Sequence, residues 1–252
     1  MKTVAEIHCT QEAAPDWETN LVANNCAIHV HKFAINEFVY LIDKNPELIT
    51  TSELEKSSRF YHREDAQRYL LARIICRLLL AAYNDLDPST IVFQKGSFEK
   101  PYIKNENQLQ IPYFNWSHAH NLLVVAISTL EVGIDVEQIR DFDFESVAAA
   151  TFTNAEQKFL STSEKNPEDF FMLWTRKEAV VKATGIGLND ELKQFQVLDG
   201  KNQLEDSRAH AGVVLQNCSL ITEDEYMLSI CSLSEKIPVI RYIALPSRYW
   251  DI

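Results

Sequence analysis

Trp174, Glu178 and Lys182 recur at intervals of four, so a helix brings all three to one face. They lie in the apolar stretch from Phe170 to Thr184, whose periodicity reads as helix. A carboxylate and an ammonium one turn apart, with an indole beside them, suit phosphoryl chemistry. The acid would act as base or metal ligand and the cation would neutralise developing charge. Glu-to-Lys at this spacing is also the ordinary ion pair of a solvated helix face, so the helix alone decides nothing.

A second acidic motif shifts the balance. In Gly133-Ile134-Asp135-Val136-Glu137 apolar and acidic residues alternate, which puts Asp135 and Glu137 on one face of a strand and Ile134 and Val136 on the other. Two like charges side by side on a short apolar strand repel each other, and a divalent cation removes that cost. Hard oxygen ligands with few protein donors suit magnesium that keeps sites open for a phosphate. A solvent-facing strand edge would carry the same alternation. With Glu178, the two strand acids form a magnesium site only if they converge in space.

An anionic ligand needs cations, and these gather in the first half. Lys56, Arg59, Arg63, Arg68, Arg73 and Arg77 accompany an apolar stripe of Tyr69, Leu70, Ile74, Leu78 and Leu79 that predicts a long helix. Lys56 and Arg59 fall on an earlier short helical segment and are the first candidates for phosphate contacts; Arg73 and Arg77, one turn apart, are candidates either for the same role or only for pairing with acids. Lys100-Pro101 follows a strand expected from Ile91 to Gln94. Ser117 and His118, in Phe114-Asn115-Trp116-Ser117-His118, are expected at a turn leading into the apolar strand Leu122 to Ser128. Adjacent Ser and His rarely have the geometry of a nucleophile and its base, so phosphate contacts from Lys100, Ser117 and His118 are the better functional reading.

The elements that must position these groups repeat. Ala27-Ile28-His29-Val30-His31 alternates as Gly133 to Glu137 does, 106 positions earlier; Phe93 precedes Phe195 by 102 and Leu122 precedes Tyr226 by 104. A near-constant offset predicts a duplicated unit, with histidines in the first copy where the second has acids. The expected fold is therefore α+β: two tandem pseudo-symmetric halves, each a small antiparallel sheet packed on a long helix. Residues 1–131 would be the basic, ligand-binding half and 132–252 the metal-binding, catalytic half, its tail packing back on the first. Gly185 is expected to end the long helix and Gly187 to turn the following loop. Ser161 to Asp169 and Lys201 to His210 read as polar connections.

Composition narrows the function. The 252 residues are 46% hydrophobic, enough for a substantial core, and the formal charge of -12 argues against nucleic acid as partner. No stretch reads as a membrane span or secretory signal, so a cytoplasmic location is expected. Five cysteines without a paired motif read as reduced, mostly buried thiols. No glycine-rich phosphate loop of Rossmann or P-loop type occurs.

Taken together, Arg59-Phe60-Tyr61-His62-Arg63-Glu64-Asp65-Ala66, Lys100-Pro101, Phe114 to His118, Gly133 to Glu137 and Trp174 to Lys182 resemble the 4'-phosphopantetheinyl transferases. The similarity is to the larger monomeric type that activates peptide and polyketide synthases. It runs from about Lys56 to Leu188. The resemblance implies magnesium-dependent transfer of the phosphopantetheine arm of coenzyme A to a serine of an acyl or peptidyl carrier protein, releasing adenosine 3',5'-bisphosphate. By the same resemblance Asp135, Glu137 and Glu178 would hold the metal, and Glu178, or a metal-bound water beside it, would take the serine proton. Lys182 would neutralise the diphosphate. Lys100, Ser117 and His118 would bind coenzyme A phosphates, with Lys56 and Arg59 near the ribose phosphate.

Two departures stand out: Glu99 where the family often has Gly before Lys-Pro, and Glu53 where a lysine is common. Carrier docking is expected on Gln138 to Lys158, through Arg140, Phe144 and Phe152. A non-catalytic module that binds a carrier protein or coenzyme A, and a magnesium-dependent phosphate hydrolase, are the alternatives.

Overall fold

The computed structural model describes residues 3–18, 28–95, 100–103, 112–185, 190–206 and 213–245. In chain order the elements begin with β1 (Thr3–Gln11), β2 (Ile28–Ala34), α1 (Ile35–Phe38), α2 (Leu41–Lys44), α3 (Thr51–Ser57) and α4 (Arg63–Asn84). Next come β3 (Phe93–Lys95), β4 (Pro101–Ile103), β5 (Tyr113–Ala119), β6 (Leu122–Ser128) and β7 (Val132–Gln138). The chain continues with α5 (Glu145–Thr151), α6 (Asn154–Thr162) and α7 (Asn166–Thr184), then β8 (Gly200–Asp206), β9 (Val214–Ile221), β10 (Tyr226–Leu233) and β11 (Ile240–Ile243).

Local chemistry sets the helix limits. Thr50 and Glu53 form a reciprocal capping box that starts α3, and Thr153 and Glu156 do the same for α6. Pro167 lies in the first turn of α7, where its missing N–H costs no helical bond. Gly185, at φ 66°, closes the C-terminus of α7 in the left-handed region. The expected polar connection from Ser161 to Asp169 is thus reduced to Ser163–Lys165, because α6 and α7 extend into it from either side.

The duplication is real in topology. In the first half β2 pairs antiparallel with β6, and β6 with β5; in the second β7 pairs antiparallel with β10, and β10 with β9. The strand equivalent to β5 is therefore β9. The expected match of Phe93 with Phe195 fails: β3 pairs with β4 in a separate two-stranded ribbon among the described residues, and Phe195 follows a short helical turn. The halves also exchange their ends. β1 runs parallel to β9 and antiparallel to β8, giving the order β7-β10-β9-β1-β8, while β11 runs parallel to β2 in the order β11-β2-β6-β5. Each sheet is thus mixed rather than purely antiparallel, because the open edges of the three-stranded units are covered by strands from the chain ends. Lys201–Asp206, expected in a loop, is the partner of β1; residues 207–210 lie outside the described residues, as do Glu99, Cys26 and Gly187.

Three apolar clusters hold these layers. One lies under α4, one under α7, and one between the two sheets, where Val30, Val124, Ile134, Val136, Leu228 and Ile230 are buried. The strand residues between them, His29 and His31 on β2 and Asp135 and Glu137 on β7, fall on the other face by alternation. Cys9, Cys76, Cys218 and Cys231 are buried free thiols. No helix among the described residues is long and apolar enough to cross a membrane.

Candidate active site at the seam of the halves

The site forms where β5 of the first half meets β7 of the second. Asn115 Oδ1 accepts the Ile134 backbone N–H at 3.0 Å, an interaction that spacing alone gives no sign of. Two residues on, Ser117 Oγ donates to Asp135 Oδ1 at 2.7 Å. Gly133 has no side chain to hold β7 away from α7, so Glu178 and Lys182 on α7 come down beside the strand acids.

Lys182 is the hub. Its Nζ donates to Asp135 Oδ1 at 2.7 Å, Ser117 Oγ at 3.0 Å and the Ile134 carbonyl at 3.2 Å. Asp135 is buried, and its Oδ2 has no hydrogen-bond partner among the described residues. Burial and the neighbouring Asp135 charge push Glu178 up to about 7, against the pull of Lys182. Glu137 rises to about 7 for the same two reasons, offset in part by Lys182, Arg140 and a hydrogen bond from Trp174. All three acids therefore feel one another, yet no group of three at metal-ligand spacing occurs among the described residues. Their donor chemistry fits a hard divalent cation: a buried carboxylate oxygen without a partner, and two glutamates destabilised by like charge.

Beside the acids lies a cavity of about 760 Å³, within the range of small-molecule and cofactor sites. Glu178, Val181, Lys182 and Gly185 line it from α7, Lys56 and Arg59 from the end of α3, and Tyr69, Arg73 and Arg77 from α4. Lys100 also lines it, and its Nζ donates to the Ala183 carbonyl at 2.8 Å, holding the last turn of α7. Burial draws the Lys100 ammonium below its usual pKa.

The cavity thus brings together Lys56, Arg59, Lys100, Glu178 and Lys182, and Ser117 and Asp135 join it through Lys182. His118 does not line it. Both residues lie within β5 rather than at a turn, and successive strand residues face opposite ways, so Ser117 reaches Asp135 while His118 stays exposed. Partial desolvation and the Arg68 and Lys182 charges nevertheless hold His118 below its usual pKa. Arg73 and Arg77 do pair with an acid, Glu53, but both also line the cavity, which their one-turn spacing alone did not reveal.

The neighbouring Arg176 and Lys177 are wholly buried. Arg176 binds Ser219, the Val197 carbonyl and Asp199, and Lys177 binds Glu156 and the carbonyls of Leu192 and Phe195. They fasten α7 to the second sheet and its loops and take no part in the cavity. Phe152, expected on a docking surface, is a core residue at 0% exposure packed against Phe170.

Residues 131–231 match the family described as the 4'-phosphopantetheinyl transferase superfamily, and residues 19–130 match the family described as 4'-phosphopantetheinyl transferase, N-terminal. The chain belongs to the 4'-phosphopantetheinyl transferases. It is 30% identical over 195 residues to a 4'-phosphopantetheinyl transferase of Bacillus subtilis, covering 75% of this chain and 84% of that protein. It is 29% identical over an equal span to 4'-phosphopantetheinyl transferase Sfp of Bacillus subtilis (strain 168), with the same shares covered. With 4'-phosphopantetheinyl transferase HetI of a Nostoc species it is 31% identical over 173 residues, 67% of this chain and 73% of that protein. This transferase therefore carries the seam site and its cavity within the matched residues.

Proposed function

We propose that this transferase moves the phosphopantetheine arm of coenzyme A to a serine hydroxyl of an acyl or peptidyl carrier protein, with magnesium, and releases adenosine 3',5'-bisphosphate. The observation that carries the reading is the meeting of Asp135, Glu137, Glu178 and Lys182 at the edge of a cation-lined cavity.

Asp135, Glu137 and Glu178 would hold the magnesium, which when bound supplies positive charge to the diphosphate oxygens. Lys56, Arg59 and Lys100 would bind the co-substrate's phosphates from the cavity wall, and Ser117 would orient Asp135 and Lys182. The carrier serine oxygen forms a bond to the phosphorus on the pantetheine side, and the bond from that phosphorus to the bridging oxygen breaks. The electron pair leaves with the bisphosphate. Glu178, or a metal-bound water beside it, would take the serine proton, and Lys182 would neutralise the leaving oxygen.

Intact-mass measurement of an apo carrier protein incubated with coenzyme A, magnesium and the enzyme tests this directly. The expected result is a gain of one phosphopantetheine arm that disappears with Glu178→Ala. Coenzyme A binding with no mass gain on any of several carriers would favour a non-catalytic module. Release of a small phosphate product without transfer would favour a hydrolase.

A further inference from the structure

The α3–α4 wall of the cavity holds a charge cluster with no part in the mechanism above. Arg73 Nε lies 3.2 Å and Arg77 Nη2 3.0 Å from the same oxygen, Glu53 Oε1. The other Glu53 oxygen accepts the Thr50 backbone N–H at 3.0 Å, so the carboxylate is fixed at both ends. The two arginines differ in what remains to them. Arg77 is 2% exposed and spends its Nε on the Ile91 carbonyl, which makes it part of the framework. Arg73 keeps 16% of its side chain exposed and lines the cavity. Its guanidinium carbon stands 3.8 Å from the centre of the Tyr69 ring and 5.5 Å from that of Trp116.

A guanidinium that stacks on an aromatic ring and is tied to a carboxylate through Nε has its fork of terminal nitrogens held in one orientation. Such a fork matches the oxygens of a phosphomonoester, and pre-orientation lowers the entropy lost on binding. Without Glu53, Arg73 and Arg77 would repel each other one turn apart on the same helix. The carboxylate neutralises one of the two charges and leaves the cluster net positive. Resting on the coenzyme A reading, we infer that Arg73 grips a phosphomonoester at the end of the co-substrate remote from the reacting diphosphate, and that Glu53 is its positioning residue. The diphosphate end is already served from α7 by Lys182 and Glu178, whereas Arg73 on α4 stands with Lys56 on α3 and Arg59 in the turn after it, on the other wall.

Calorimetric titration of the full chain with coenzyme A and with 3'-dephospho-coenzyme A, without carrier, separates the possibilities. Wild type should prefer coenzyme A. Arg73→Gln should weaken coenzyme A by about 10- to 100-fold, the range of a charged hydrogen-bonded contact, and move the dephospho ligand by less than about twofold. Arg73→Lys, which keeps the charge and loses the fork, should recover only part of the preference. Glu53→Gln should weaken coenzyme A by about three- to tenfold through the loss of orientation, again sparing the dephospho ligand. In turnover the Arg73→Gln loss should fall on KM for coenzyme A. If wild type binds coenzyme A and Arg73→Gln weakens both ligands equally, or neither, the assignment of Arg73 is overturned while the co-substrate reading stands. An unchanged Glu53→Gln overturns the positioning role. A wild-type chain that binds neither ligand overturns the coenzyme A reading and the assignment with it.

Discussion

Gly133 faces the Ala179 carbonyl so closely that a methyl group added to the glycine would lie 2.2 Å from that oxygen, and 2.3 Å from the Ala183 nitrogen. Both neighbours are backbone of α7 and cannot swing aside. The acids of β7 and the Glu178–Lys182 face of α7 are therefore juxtaposed by the absence of one side chain. Gly133→Ala should force the strand from the helix, costing roughly 1–3 kcal/mol and lowering Tm by roughly 3–10 °C. The transfer rate should fall more steeply than stability, by about 100-fold, because the groups around the diphosphate are displaced together. Thermal melts and a carrier-loading assay check both. A variant with wild-type melting and turnover would show that the close approach is not required.

Glu137 and Glu178 give the metal-free protein a pH dependence opposite to that of salt-bridged acids. Burial and like charge raise both to about 7 in the folded state, above the ordinary glutamate value of 4.5. Between those limits the folded chain holds more protons than the unfolded one, so this contribution to stability is present at the acid end and lost as pH rises through 7. With a chelator present, the loss of Tm from about pH 5 to about pH 8 should be smaller in Glu137→Gln/Glu178→Gln than in wild type. Added magnesium should offset the wild-type loss at the alkaline end and leave the double variant unmoved. Parallel curves for the two proteins, with and without the cation, would remove the coupling of these acids from the account.

Lys177 and Lys182 stand five residues apart on α7 and have different work. Lys177 is buried against Glu156, which is itself buried and also accepts the Val197 backbone N–H at 2.9 Å. Glu156→Ala should strand the Lys177 charge and cost roughly 3–5 kcal/mol, seen as poor soluble yield and a collapsed melting transition. Glu178→Ala should instead melt at or above the wild-type temperature while losing transfer, since it deletes an acid whose charge the fold disfavours. Equal melts for Glu156→Ala and wild type would mean that the pair is not a structural fastening.

These contrasts mark what the chain discloses of itself. The β7 acids were legible because their alternation has the period of a strand, and the α7 face because Trp174, Glu178 and Lys182 have the spacing of a helix turn. The doubled fold was legible from the offset between β2 and β7 and between β6 and β10. The exchange of β1 and β11 was not, since pairing across some 200 residues leaves no local pattern; Ala5 meets Leu204 only in the sheet. Ser117 and His118 were misread as a turn because β5 buries the polar Asn115 and Ser117 between its aromatic residues, which hides its inward face. Arg73 was legible as a candidate for pairing with an acid, but not that the acid is Glu53, as their meeting depends on how α3 folds back on α4.

Two phenylalanines that sequence joins in one surface are separated by burial. Phe152 is core, and Phe152→Ala should cost roughly 3–5 kcal/mol with no specific effect on carrier recognition. Phe144 is half-buried beside Phe142 and lines a groove of about 650 Å³ with Glu145, Ala148 and Leu160. Arg140 stands over the Phe142 ring at 5.8 Å. If carriers dock on this stretch, Phe144→Ala should raise KM for carrier protein by about three- to tenfold, the effect of one modest interface contact, and leave KM for coenzyme A unmoved. Arg140→Ala should act in the same direction and lose its effect as salt is raised, because an exposed charge works through screened attraction. An unchanged carrier KM in both variants would place docking elsewhere on the chain, and the exposed loop around Tyr61 would be the next face to mutate.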